Sequence, residues 1–199
     1  MTNLEIFRPK SGTFMALSAF FAASALVSIN IMDYGFIDSI SAIAWSLVFC
    51  AIFYLIFVHP KVIFFDEGLM IINPLQSFTV GWHEVEEIDA RYTMYVIHSQ
   101  TREKIHAFAA QAPGRYHSRT VHPNEVKGMR VGDSGIIRAG ESPRTSSGAA
   151  TAIARNRFEQ FKRFEGQARV SYNSSWNFNG ITLFLALTIV AVLAQVMHS

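Results

Sequence analysis

Three apolar runs decide what this chain can fold into, because about 20 uncharged residues in a helix cross roughly 30 Å of hydrocarbon. The first, Thr13 to Met32, reads TFMALSAFFAASALVSINIM. The second runs from Ile37 to Val58, with Asp38 in its first turn and His59-Pro60 stopping it. The third runs from Phe178 to Met197. Hydrophobic residues make up 50% of the chain and charged ones only 16%, with most of the charge between the second and third runs. A soluble domain carries nearer a quarter of charged residues, so the segregation predicts three transmembrane helices and one polar module.

Only Asp33-Tyr34-Gly35-Phe36 separates the first two runs, which are therefore expected as an antiparallel hairpin. Ser18, Ala19, Ala22 and Ala23 offer small-residue spacing for close helix contact. Arg8 and Lys10 precede the first run, and the other 15 of the 17 Lys and Arg residues fall between Lys61 and Arg169. The positive-inside rule then places the N-terminus and the polar module in the cytoplasm and the C-terminus outside a cell membrane. The expected plan is a tail over 1–12, a transmembrane hairpin over 13–58, a cytoplasmic domain over 59–169, and a linker with the third helix over 170–199. A rival reading takes the first run as a cleaved signal peptide, on Arg8, Lys10 and Ala23-Ser24-Ala25. The run continues well past that site, which favours a retained helix. The polar residues at membrane depth, Asn30, Asp38 and Gln195, lie within about two turns of the outer ends, so interfacial placement is expected rather than a transport path.

From Lys61 the pattern shortens and alternates. KVIFF, LMII and FTVGW read as antiparallel strands, with Asp66-Glu67-Gly68 and Asn73-Pro74 as turns. VEEIDARY, MYVIHS and KIHAF continue the series, the last two separated by Gln100-Thr101-Arg102-Glu103. So many short strands predict a strongly bent sheet or small barrel. Residues 110–147 are rich in Gly, Pro and Ser (PGR, GDSG, AGESP, SSG) and read as a long loop. A helix follows over 148–165: Ile153, Phe158, Phe161 and Phe164 share one face, Arg155, Arg157, Glu159 and Lys162 point away, and Ser146 or Ser147 caps it.

The run HPKVIFFDEGLMIINPLQSFTVGWHEVEEID resembles the bacterial pleckstrin-homology-like domain of the low-molecular-weight protein antigen 6 type, found in actinobacterial membrane proteins. Asp66, Gly68, Leu69, Asn73, Pro74, Trp82, Val85 and Ile88 carry the resemblance, which covers about residues 59 to 110. It implies a bent antiparallel sheet or barrel closed by a C-terminal amphipathic helix, with a core including Phe64, Leu69, Ile71, Trp82, Val85, Ile88, Phe158 and Phe161. The family's biochemical role is poorly defined, so the resemblance implies a fold and an anchored topology rather than an activity.

Enzyme signatures are missing: there is no nucleophile elbow, phosphate-cradling glycine loop, HExxH or CxxC. No catalytic residue, cofactor or metal is therefore assigned. The seven histidines lack tight ligand spacing, although His98 and His106 can meet across a hairpin and His117 and His122 can share a loop. Glu84, Glu86, Glu87 and Asp89 read as a solvated turn rather than a cation site, and the lone Cys50 as a small packing residue. A formal charge of +2 does not call for nucleic acid. The candidate contacts are Arg115, His117, Arg119, His122, Lys127 and Arg130, grouped where anionic lipid headgroups or a protein partner would meet them. The plain alternative is that they are solubilising charges. A loop this long with interspersed apolar residues is rarely idle, and partner binding is favoured over headgroup recognition because three helices with small-residue faces also suit membership of a larger membrane assembly. A transporter or membrane-enzyme subunit is the least favoured reading.

Overall fold

The chain's apolar runs become helices, the first and third slightly longer than their runs and the second starting three residues later than its run. The computed structural model describes residues 3–111, 145–164 and 166–198. The first helix, α1, spans Lys10–Tyr34, and the second, α2, spans Ile40–Phe53 and continues as a π-helical turn over Tyr54–Val58. After the polar module, α4 spans Phe178–His198. All three are long and apolar enough to cross a membrane. Asp38 belongs to the link rather than to the first turn of α2. Gly35 ends α1 at φ 86°, with its N–H donating to Ile31 O at 2.9 Å, a left-handed cap that glycine adopts without steric cost.

Two compact units result, one over Lys10–Pro60 with Trp176–Ser199, the other over Met1–Pro9 with Lys61–Ser175. In the helical unit α2 packs on both α1 and α4. Small residues carry these contacts: Ala19 and Ala23 are the buried alanines of α1, while Ala44 and Val48 meet Ala191 and Ala194. Ser18 and Ala22, expected at the same seam, are exposed. Small side chains let helix backbones approach closely, which suits association where lipid removes the hydrophobic drive. His59 N–H donates to Tyr54 O at 2.9 Å, the five-residue closure of the π turn, before Pro60 ends the helix.

The other unit is built from strands β1 Glu5–Phe7, β2 Lys61–Phe65, β3 Gly68–Ile72, β4 Gln76–Gly81, β5 Val85–Ala90, β6 Thr93–His98, β7 Lys104–Gln111 and β8 Asn173–Trp176. They form a five-stranded sheet ordered β1-β2-β3-β4-β8 and a three-stranded sheet β5-β6-β7. Neither sheet closes on itself. The residues read as tail and linker thus supply both edges of the larger sheet. Helix α3, Ser146–Arg163, packs on β2, β5, β6 and β7.

Alternation decides the core. Phe64, Leu69, Ile71, Val80, Trp82, Val85, Ile88, Met94 and Val96 are buried in one cluster, against which Phe158 and Phe161 pack partly buried. Trp82 is 1% exposed, and its indole N–H donates to Phe65 O at 3.1 Å. Gly68 is the first residue of β3 rather than part of the turn, since Asp66 and Glu67 alone connect β2 to β3. Helix α3 starts two residues earlier than expected and is capped by Thr145, whose hydroxyl oxygen accepts from Gly148 N–H at 3.0 Å, rather than by either serine. Phe164, expected on the core face, is 77% exposed beyond the last helical turn.

Candidate functional site

The six grouped basic and histidine residues, Arg115, His117, Arg119, His122, Lys127 and Arg130, lie outside the described residues. The other expected chemistry falls on the three-stranded sheet and its turns. Glu84, Glu86, Glu87 and Asp89 do not make a solvated turn. Glu84 ends a short 3-10 turn over Trp82–Glu84, and the others lie on β5. A bulge places Val85 opposite His98 and Glu87 opposite Ile97, so Glu86 is the extra residue and reaches Arg102 at 3.3 Å.

Asp89 is buried, 6% exposed, and its carboxylate is closely held. Oδ1 accepts from Ala90 N–H at 2.8 Å and from Arg155 Nη2 at 3.1 Å, while Oδ2 accepts from Tyr95 Oη at 3.0 Å. Arg155 Nε also donates to Ile88 O at 3.0 Å. Arg157 donates to Asp66 Oδ1 at 3.0 Å, Glu5 Oε2 at 3.2 Å and Asn3 O at 3.3 Å. Both arginines, expected to face away from the sheet, instead fasten α3 to it. A long stem allows this: the guanidinium reaches over the edge of the apolar face and forks between acceptors.

His98 and His106 do not meet, because the register sets Tyr95 opposite His106 and Val85 opposite His98. His106 Nδ1 is 2.9 Å from Thr93 Oγ1, and its ring lies against Tyr95 with centroids 5.6 Å apart. Partial burial, then the nearby Lys104 charge, lowers the pKa of His106 below the ordinary 6.5. Among the described residues no three His, Cys, Asp or Glu side chains are grouped to hold a metal.

His98 is 2% exposed and organises the turn between β6 and β7. Thr101 N–H donates to His98 Nδ1 at 3.2 Å, so in the neutral ring that nitrogen is the acceptor and Nε2 carries the proton. Thr101 Oγ1, 2.9 Å from the same nitrogen, then donates to it and accepts from Glu103 N–H at 3.3 Å. On the other side Nε2 faces Glu84 Oε2 at 4.0 Å. Tyr172 covers the ring, centroids 4.7 Å apart, and its hydroxyl donates to Glu103 Oε2 at 2.8 Å. Burial, then the hydrogen bond to Glu103, raises the Tyr172 pKa above 10.0.

Carboxylate, imidazole and hydroxyl in this order invite comparison with a nucleophilic relay, but the geometry is that of a turn lock. A separation of 4.0 Å exceeds hydrogen-bond reach. The amides that approach Thr101 and His98 serve the turn: Arg102 N–H donates to His98 O at 2.9 Å, and Glu103 N–H to the threonine hydroxyl. Among the described residues, no pair of amides is left converging on the hydroxyl as an oxyanion site requires. The sequence signal for this cluster, a histidine closing a short polar turn, was visible, but Tyr172 lies 74 positions from His98 and no spacing rule connects them.

Other surfaces are apolar and exposed: Leu75 at 55%, Tyr92 at 74% and Phe108 at 37%. All four residues of edge strand β8 are exposed. Comparison with family models, with curated proteins and with solved structures finds no match for this chain.

Proposed function

We propose that the chain is a membrane-anchored interaction module whose pleckstrin-homology-like unit binds a protein partner at the cytoplasmic face of the cell membrane, without chemistry of its own. The observation that carries the fold part is the order of elements: β2-β3-β4 in one antiparallel sheet, β5-β6-β7 in another, then α3 packed against strands of both. That order accords with the resemblance carried by residues 59 to 110. The membrane part rests on three helices long and apolar enough to cross a bilayer, with cations concentrated between the second and third.

Protein rather than lipid is favoured by the edges of the larger sheet. Strand β8, exposed along its length, presents the backbone groups that an added strand uses, and β1 at the other edge pairs over only three residues. Purification of the tagged full chain in mild detergent, after cross-linking in cells, tests this. One copurifying protein in near-equal amount is expected, and retention should survive Gln substitution of Arg115, Arg119, Lys127 and Arg130. Recovery of the chain alone overturns the scaffold reading. Retention of anionic lipid that those substitutions abolish would favour headgroup recognition by the basic segment instead.

A further inference from the structure

The turn that joins β6 to β7 is held in an uncommon backbone shape. Arg102 lies at φ 57°, in the left-handed region that residues with a Cβ seldom enter. Its N–H donates to His98 O at 2.9 Å, and His98 N–H donates to Glu103 O at 3.0 Å. The rest of the lock depends on one lone pair. His98 Nδ1 accepts from Thr101 N–H at 3.2 Å and from the Thr101 hydroxyl at 2.9 Å, and the hydroxyl oxygen accepts from Glu103 N–H at 3.3 Å. Only the neutral ring offers that lone pair.

The far side of the ring is unsatisfied. His98 Nε2 and Glu84 Oε2 are both buried and face each other at 4.0 Å, and neither has a hydrogen-bond partner among the described residues. Buried polar atoms left unpaired are costly, and here a small movement of the ring would join them. The other Glu84 oxygen, Oε1, stands 3.7 Å from His83 Nε2, and Ser99 N–H donates to Glu84 O at 2.7 Å, which ties the acidic residue to the turn. The remaining charged and titratable groups around the ring are Arg102, whose Nε is 3.3 Å from Glu86, and Tyr172 with Glu103, joined at 2.8 Å. Val85, opposite His98 on β5, adds no charge.

A proton on Nδ1 acts on both sides of the ring in one direction. Thr101 N–H loses its acceptor and meets another N–H. The positive charge draws Nε2–H toward the Glu84 carboxylate, which takes Nδ1 further from the turn. The Tyr172 face accepts the charged ring as readily as the neutral one, so it does not oppose the shift. With the lock undone, the left-handed turn relaxes, and Glu103 carries its carboxylate away from the Tyr172 hydroxyl.

We infer that His98 is a proton-operated latch on the turn between β6 and β7: protonation swings the ring from Thr101 to Glu84, opens the turn and unties the Tyr172 segment that leads into β8. All of these residues belong to the β unit. The latch goes beyond the interaction reading above and does not depend on it.

Amide exchange of the full chain in detergent, followed by NMR and expressed relative to the intrinsic rate at each pH, tests the latch. From about pH 7.5 to about 5.5, where imidazole gains its proton, protection at Thr101 and Glu103 is expected to fall about fivefold, as one lost hydrogen bond gives. Met94 and Val96 should keep theirs. His98→Asn retains an acceptor near the place of Nδ1 and cannot titrate, so its turn should stay protected at both pH values. His106→Gln, which removes the other histidine of this hairpin, should respond like the parent. Nitroxides at Gln100→Cys and Ser171→Cys, both exposed positions, should move apart over the same range in a Cys50→Ser background. Constant protection of the turn in the parent, or an equal loss in His98→Asn, overturns the latch. Should the asparagine variant misfold, nitrogen-15 spectra of the parent's imidazoles decide. Turn opening that coincides with protonation of His98 Nδ1 supports the latch, and opening that precedes it overturns it.

Discussion

Replacing Gly68 by alanine and by asparagine separates two reasons for a glycine at the start of β3. If the residue supplied a left-handed turn, asparagine would be tolerated better than alanine, because its side chain adapts to positive φ. The structure gives another reason: among the described residues the glycine with positive φ is Gly35, and Gly68 is a strand residue paired with both Phe65 and Gly81. A Cβ on Gly68 would press on Val80 O and stand 3.1 Å from both Gly81 Cα and Phe65 Cε2. Two of these neighbours are backbone, so relief requires β4 to move. Overpacking of that kind costs about 2 kcal/mol for alanine. Asparagine adds a buried amide with no partner provided, about 1 kcal/mol or more beyond alanine. Urea unfolding of the full chain in detergent measures both, with Trp45→Phe and Trp176→Phe leaving Trp82 as the fluorescent reporter beside the hairpin. Trp82 is well placed, since its backbone N–H donates to Glu67 O at 3.0 Å. Asparagine within about 0.5 kcal/mol of the parent, and milder than alanine, would refute the steric argument.

Thr145→Ala should cost the β unit about 1 kcal/mol by the same assay, with Thr145→Ser close to the parent, because the hydroxyl caps α3 through Gly148 N–H. Arg157→Gln should loosen β1 without unfolding the rest, since Arg157 bonds Glu5 and Asn3 O; faster amide exchange at Ile6 and Phe7, with Met94 and Val96 unchanged, is the readout. The lowered His106 pKa means the unfolded chain binds its proton first as pH falls, so its contribution is full above 6.5 and lost below it. His106→Gln should flatten stability between pH 7.5 and 5, and an unchanged slope would count against the burial account. Gly12→Leu should separate α1 from α2, because a Cβ there meets Phe57 O; weaker cross-linking between cysteines placed on the two helices would register it.

The acidic stretch after Trp82 illustrates where reading by neighbours falls short. Four carboxylates in six positions look solvated when only adjacent residues are considered. Asp89 is buried because Arg155, Tyr95 and its own next amide all reach it, and Arg155 lies 66 positions away. The same holds for the charges of α3: helical periodicity correctly puts Phe158 and Phe161 toward the core, yet it treats every arginine as outward. A guanidinium on a flexible stem escapes that rule.

Features that depend on composition over one local window can be read directly from the chain. Crossing length is such a property, so the three apolar helices were readable to within a few residues at each end. Period-two alternation is another, and it marked β2 through β7 and the buried residues Phe64, Leu69, Ile71 and Trp82. The edges of the larger sheet came from long-range pairing instead. Glu5–Phe7 and Asn173–Trp176 are too short to show a period, and they are strands solely because β2 and β4 offer them unpaired backbone. Tertiary contacts also decided the division into two sheets and the Tyr172 cover on His98. Each of these is set by pairing between distant segments, whose energy appears only when both are brought together.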